Sequence, residues 1–339
     1  MKILLIRISS IKYSKVCYVL LIIVAVTVYM GCGKKNDNNS SSENSNNNNG
    51  NITFKVPDTG QTISYTATYG EDSDYTINEQ SFTDNDNGTI TDNVTGLIWQ
   101  KRDDETLRTW DDAVDYCDDL TDGGYPDWRL PSKKEIVSTI YYEKNEDAID
   151  TNVFDDTLCV GQEYWTSTAY DYESSIASWE FQSHQGDVGG GYKTDPKCVR
   201  CVRGDNLRYG NFVDLGNGIV KDKYTRLMWQ KDEGGQMEWQ AALSYCEGLS
   251  LANYQDWRLP NIKELESLVD DSTHGPAIRS SYFPNFPNAF IAYYWSSTAY
   301  PGKLVSSPLQ AWYIDFNYGS VTFSFPNNPF YVRCVRGGL

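Results

Sequence analysis

Residues 91–101 read TDNVTGLIWQK, and residues 221–231 read KDKYTRLMWQK. The echo continues in order. TWDDAVDYC (109–117) answers to EWQAALSYC (238–246), and DWRLPSKKE (127–135) to DWRLPNIKE (256–264). YWTSTAY (164–170) answers to YWSSTAY (294–300), SWEF (178–181) to AWYI (311–314), and CVRCVRG (198–204) to YVRCVRG (331–337). The offset stays at about 130 residues, so the repeating unit is a whole domain and not a short solenoid repeat. The ten tryptophans pair off as Trp99/Trp229, Trp110/Trp239, Trp128/Trp257, Trp165/Trp295 and Trp179/Trp312, with none left over.

The 339 residues divide accordingly into one copy at 81–204, a second at 209–339 and a short extension at 52–80 that adds an edge strand or stays extended. Residues 1–31 carry Lys2, Arg7, Lys12 and Lys15, then an apolar run over 16–30 of signal-peptide length, and no acid. Gly31-Cys32 after that run resembles a bacterial lipobox, with Tyr29 where a leucine is usual; an uncleaved anchor helix with a free Cys32 is the rival. Either way the rest is exported, and lipidation at Cys32 would place it on the cell envelope, at the outer membrane or cell surface. The Asn/Ser-rich stretch at 32–51 has too few apolar side chains to fold and reads as a tether. The formal charge of -17 excludes nucleic acid as an expected partner. Two histidines, His184 and His274, leave little room for a histidine relay or a multi-histidine metal site.

Within each copy the alternation in TGLIWQK and TRLMWQK predicts a strand. Trp110, Ala113, Val114, Cys117 and Leu120 recur at helical spacing, as do Trp239, Ala242, Leu243, Cys246 and Leu249. Thr109 is the expected N-cap of the first helix. Ser132 with Glu135, and Asn261 with Glu264, form capping boxes that start a second helix after each DWRLP. Ile136 and Ile140 are expected to face inward there, as are Leu265, Leu268 and Val269. YWTSTAY, SWEFQS and KCVRCVR then read as strands, which makes each copy an α+β domain.

Cys117 and Cys246 share a helix position, and Cys201 and Cys334 share the final strand. The simplest pairing is Cys117 with Cys201 and Cys246 with Cys334, leaving Cys159 and Cys198 for each other in an oxidising compartment. Zinc on the C-x-x-C of Cys198 and Cys201 is the alternative; the second copy keeps only one of those two cysteines, which argues against it.

Taken together, these blocks resemble the Lcl C-terminal domain family over nearly all of residues 81–339, twice. The resemblance implies two tandem C-type-lectin-like domains, each with two helices and a mixed, largely antiparallel sheet, a variant of the fold also used by sulfatase-modifying enzymes. It implies a staple from helix to last strand, a surface or secreted location, and adhesion to a glycan or protein. Fold does not fix function. A structural envelope protein and a sulfatase-modifying-type enzyme are the alternatives, the latter needing a reactive cysteine or copper site.

Core packing is the expected role of the paired tryptophans, with sugar stacking as the alternative. Arg129, Arg203, Arg258 and Arg336 are expected to pair with acids such as Asp127 and Asp256 rather than grip an anionic ligand. No cofactor is expected apart from one candidate ion: Asp84, Asp86 and Asp92, around Gly88, have the spacing of a calcium loop without its bidentate glutamate. The second copy offers a poorer set, Asp214, Asn217 and Asp222, and the other reading of both is an Asx-rich turn. The copies differ most at 183–197, 280–294 and 301–309, so ligand contacts are expected there, with Tyr192, Tyr282, Phe283, Phe286 and Tyr300 as candidates.

Overall fold

Strands and helices follow the doubled pattern in a computed structural model that describes residues 53–144, 148–155, 159, 162–286, 292–300, 302 and 309–338. The expected signal, Cys32 and the tether lie outside the described residues, as do 287–291, 301 and 303–308 of the two second-copy loops. Copy one runs β1 (Phe82–Asp84), β2 (Thr89–Asp92), β3 (Ile98–Gln100), α1 (Trp110–Asp118), α2 (Lys133–Ser138), β4 (Glu163–Ala169), β5 (Ala177–Gln182), β6 (Val188–Tyr192) and β7 (Val202–Arg203). Copy two runs β8 (Phe212–Gly216), β9 (Ile219–Asp222), β10 (Met228–Gln230), β11 (Gln236–Met237), α3 (Trp239–Glu247), α4 (Ile262–Glu266), β12 (Tyr293–Tyr300), β13 (Gln310–Asp315), β14 (Ser320–Ser324), β15 (Phe330–Tyr331) and β16 (Val335–Arg336). The fold class is α+β.

Local chemistry sets the helix starts. Thr109, in extended backbone, accepts a hydrogen bond from Asp112 N–H and so caps α1. Ser132 and Glu135 close a reciprocal box at α2, and Asn261 and Glu264 do the same at α4. Each boxed glutamate also takes both guanidinium nitrogens of its DWRLP arginine, Arg129 to Glu135 at 2.7 and 2.7 Å and Arg258 to Glu264 at 2.6 and 2.7 Å. The second helices are shorter than their apolar pattern suggests. Ile140, Leu268 and Val269 lie past the helix ends, yet all three are buried.

Each copy owns one four-stranded sheet, ordered β1-β2-β3-β7 and β8-β9-β10-β16. A third sheet is shared and has eight strands, ordered β11-β15-β12-β13-β14-β6-β5-β4. With five strands from copy two and three from copy one, the copies join in it at the antiparallel pairing of β14 with β6, at Val321 and Val188. These are the same strand of the two copies, so the sheet meets itself as it would across the twofold axis of a dimer. Contacts between α2 and α4 cover that seam. One apolar core runs through it, from Ile136, Val137 and Ile140 to Ile262, Leu265 and Leu268. The copies are therefore halves of one unit, Gly50–Leu339, and not beads on a linker.

Charge makes the seam asymmetric. Lys133 Nζ, fully buried, lies 3.1 Å from Glu266 and 2.6 Å from Asp271, and donates to the Gly319 carbonyl at 2.8 Å. Lys134 adds longer contacts to both acids. Burial pushes the Glu266 carboxyl up against the pull of the two lysines. At Asp271 burial acts the same way, but the lysine charges win and hold it below the usual carboxylate range.

Three disulfides staple the halves. Cys117 bonds Cys201, Cys246 bonds Cys334 and Cys159 bonds Cys198. The first two join the first helix of each copy to the segment entering its last strand. An oxidising, extracytoplasmic compartment is the setting in which such bonds persist.

The extension before copy one forms no strand among its described residues. It is a strap, with one 3-10 turn at Asp72–Asp74, laid mainly along copy two. Gln61 pairs its carboxamide with both backbone groups of Ala299, at 2.7 and 2.8 Å. The buried Asp72 Oδ2 accepts from the hydroxyls of Thr59 and Thr298, each at 2.6 Å. Lys263 Nζ ties the strap to copy one through the carbonyls of Asp58 (2.7 Å) and Ser138 (2.9 Å).

Two outcomes follow. Lys133→Ala leaves Glu266 and Asp271 with only the longer contacts of Lys134 and is expected to cost about 3–5 kcal/mol in urea unfolding. The double change Lys133→Met with Glu266→Leu keeps the charge balanced and is expected to cost less than Lys133→Ala alone. Burial raises the Asp72 carboxyl from 3.8 to about 7, so the folded state holds its proton more tightly than the unfolded chain. The stability this contributes is full below pH 3.8 and lost as pH rises through about 7. Asp72→Asn should flatten the dependence of Tm on pH across that window.

Candidate functional site

The acids expected to hold calcium do not converge. Asp84 pairs with Ile90 and Asp92 with Phe82, at opposite ends of the β1–β2 hairpin. Asp84 is taken by Lys101 at 2.7 Å, and this bond holds its carboxyl below the usual range. Asp92 is buried and caps the next turn, accepting from Val94 N–H, Thr95 N–H and the Thr95 hydroxyl. Asp86 stands at the hairpin tip with positive φ, its N–H bonded to Asp84. Copy two repeats the arrangement, with Asp214 on Lys231 and Asp222 capping Tyr224 and Thr225. Matched use in both copies marks an Asx turn, and among the described residues no group of three or more His, Cys, Asp or Glu could hold a metal ion.

The four arginines are also occupied. Arg203 and Arg336 each make two bonds to Asp127 and Asp256, between 2.7 and 3.0 Å, and lie over the rings of Tyr125 and Tyr254. Every tryptophan but Trp110 is buried. Two further arginines carry no sequence signal beyond their repetition. Arg200 and Arg333 are buried, bond the carbonyls at the end of β3 and β10, and cover the rings of Phe154 and Phe283.

That pairing decides most of the aromatic candidates. Phe283 is the platform for Arg333 and is fully buried. Tyr300 is buried too, stacked on Phe323 at 4.0 Å. Phe286 stacks on Tyr294, and Tyr282 packs against Phe212. Burial of their apolar surface draws Phe283 and Tyr300 into the core, while Tyr282 and Phe286 are half-buried. Tyr192, on β6, is 56 % exposed.

A different group of rings gathers where the halves meet. Tyr170 directly follows the strand β4, and Tyr172 lies in the turn Asp171–Glu173. His274 and Tyr318 come from copy two. Tyr318 sits in the β13–β14 turn, where Gly319 has φ +89° and a Cβ would meet Val269 at 2.7 Å. Only glycine lets this turn settle against the seam. Tyr172 lies edge-on to Tyr318 and to His274, each at 5.6 Å between ring centres, and Tyr170 is near-parallel to Tyr318 at 6.4 Å. His274 Nδ1 is 2.6 Å from Asp171 Oδ2, a bond that crosses from copy to copy. Tyr172 is 56 % and Tyr318 39 % exposed. The cluster thus offers open aromatic faces beside a polar, hydrogen-bonding pair. No local motif announces it, because His274 and Tyr318 lie about a hundred or more residues from Asp171 and Tyr172, and these four lack matched counterparts.

Among protein families, the Lcl C-terminal domain matches residues 88–203 and again residues 218–336. No curated protein matches the chain.

Proposed function

This chain belongs to the Lcl C-terminal domain family, twice over, and on that premise we propose that it is a surface-exposed adhesion lipoprotein that recognises a glycan. Cys32 carries the lipid, and residues 33–51 set the reach from the membrane to the folded unit. The single observation that carries the binding role is the exposed cluster of Tyr172, Tyr318 and His274 with Asp171. Sugar rings present C–H faces to aromatics and hydroxyls to carboxylates and imidazoles, and this cluster supplies both within one patch. The acidic chain favours a neutral ligand over a sulfated one. The six cysteines of the folded copies are all in disulfides, which supports binding over thiol-dependent catalysis.

A glycan array and a surface pull-down, run with the full chain and a Tyr172→Ala/Tyr318→Ala variant, test this. The variant should lose at least about tenfold in affinity with unfolding free energy within about 0.5 kcal/mol of the parent, because both rings are exposed. Pull-down of a protein with an empty array would shift the reading to a protein ligand. Absence of any ligand, or equal binding by the variant, would remove the cluster from the function.

A further inference from the structure

Copy two is covered where copy one is open. On copy two the strap closes the groove between α3 and β12. Tyr65 packs against the cluster of Trp239, Leu243 and Leu259. The Tyr75 hydroxyl bonds Glu247, and the Arg258 guanidinium lies 5.4 Å from the Tyr75 ring. Thr298 donates to Asp72, and Ala299 pairs with Gln61. Ser297, Thr298 and Ala299 are consequently buried.

The same walls stand in copy one. Trp110, Val114, Asp118, Arg129 and Ser167 answer to Trp239, Leu243, Glu247, Arg258 and Ser297, and they line a groove of about 380 Å³. That is ordinary size for a ligand site. The linker residue Leu207 closes one end, bonding Glu135 through its N–H at 3.2 Å. The rest is uncovered. Ser167 and Ala169 are exposed, Thr168 and Trp110 half-buried, and Asp118 is exposed. Thr168 accepts from Lys133 N–H at 2.9 Å as Thr298 accepts from Ile262 at 3.0 Å. The Thr298 hydroxyl in turn donates a hydrogen bond to Asp72, and among the described residues Thr168 has no such acceptor.

We propose that the copy-one groove is a docking site for an extended segment of a partner polypeptide. Its occupant repeats the chemistry of the strap: an aromatic residue with a hydroxyl donor over Arg129 and toward Asp118, an acid for Thr168, and a carboxamide for the backbone of Ala169. The argument is the strap itself, a peptide of this kind already seated in the duplicate groove. The groove shares no lining residue with the aromatic cluster, and the proposal does not depend on a glycan role.

The probe is a labelled synthetic peptide with the sequence of residues 59–77, titrated against the full chain in mild detergent. The tethered strap holds the copy-two groove at an effective concentration of order millimolar, so free peptide is directed to copy one. Saturable binding is expected, weakened at least about tenfold by Val114→Arg and by Asp118→Lys. Asp118 is exposed and Val114 half-buried, and two variants guard against a local folding failure in one. No binding, or binding that both variants leave unchanged, overturns the proposal. Self-association of the chain alone that Val114→Arg abolishes would make the occupant a second copy and overturn the assignment to a partner.

Discussion

A strand at the end of a sheet exposes a row of unpaired backbone groups, and a domain with such a strand must cover it or pair it. Here the two halves solve the problem with each other. β6 and β14 are the same strand in duplicate, and each supplies the other with a neighbour. The eight-stranded sheet, the packing of α2 on α4 and the continuous core all follow from that pairing. Symmetry alone would set two identical helices face to face. The departures from it give the seam its identity: Lys133 stands where copy two has Ile262, and Glu266 where copy one has Val137. A buried cation meets buried anions across the seam, and either partner alone would be a stranded charge.

What the sequence made legible is what the two copies share. The tryptophan pairs, the capping boxes and the two helix-to-strand disulfides could be read because each appears twice, Thr109 and the Cys159–Cys198 pair were read from one copy alone, and the structure has the caps and bonds in those places. What was not legible is what joins the copies. Lys133 and Glu266 stand in ordinary helix positions, and nothing in their neighbours says that they meet. The strap alternates polar and apolar residues as an edge strand would, but it lies extended against a surface built by residues more than two hundred positions away, such as Ala299. Phe283 and Tyr300 misled for a related reason. Tyr and Phe in a variable loop suit a binding face and a core equally, and the vacancy beneath Arg333 that Phe283 fills is visible only in three dimensions.

The same division separates stability from recognition. Matched residues hold the fold: boxed glutamates clamp the DWRLP arginines, aspartates cap the hairpin turns, and Arg200 and Arg333 tie the strand ends. Unmatched residues shape the surfaces. Tyr172, His274 and Tyr318 form their cluster from both copies, and the groove beside α1 is open because the strap lies on one half only. Equal scaffolds therefore carry unequal faces.

Joining the halves in one chain changes what the seam is able to become. A dimer of identical subunits writes every substitution twice, so a lysine placed at its axis confronts another lysine. It also falls apart on dilution. In this chain the halves stay together at any concentration, and each side of the junction is spelled independently. The bond from Asp171 to His274 uses that freedom: a carboxylate from one half and an imidazole from the other meet in one place, without a second, mirrored meeting to accommodate.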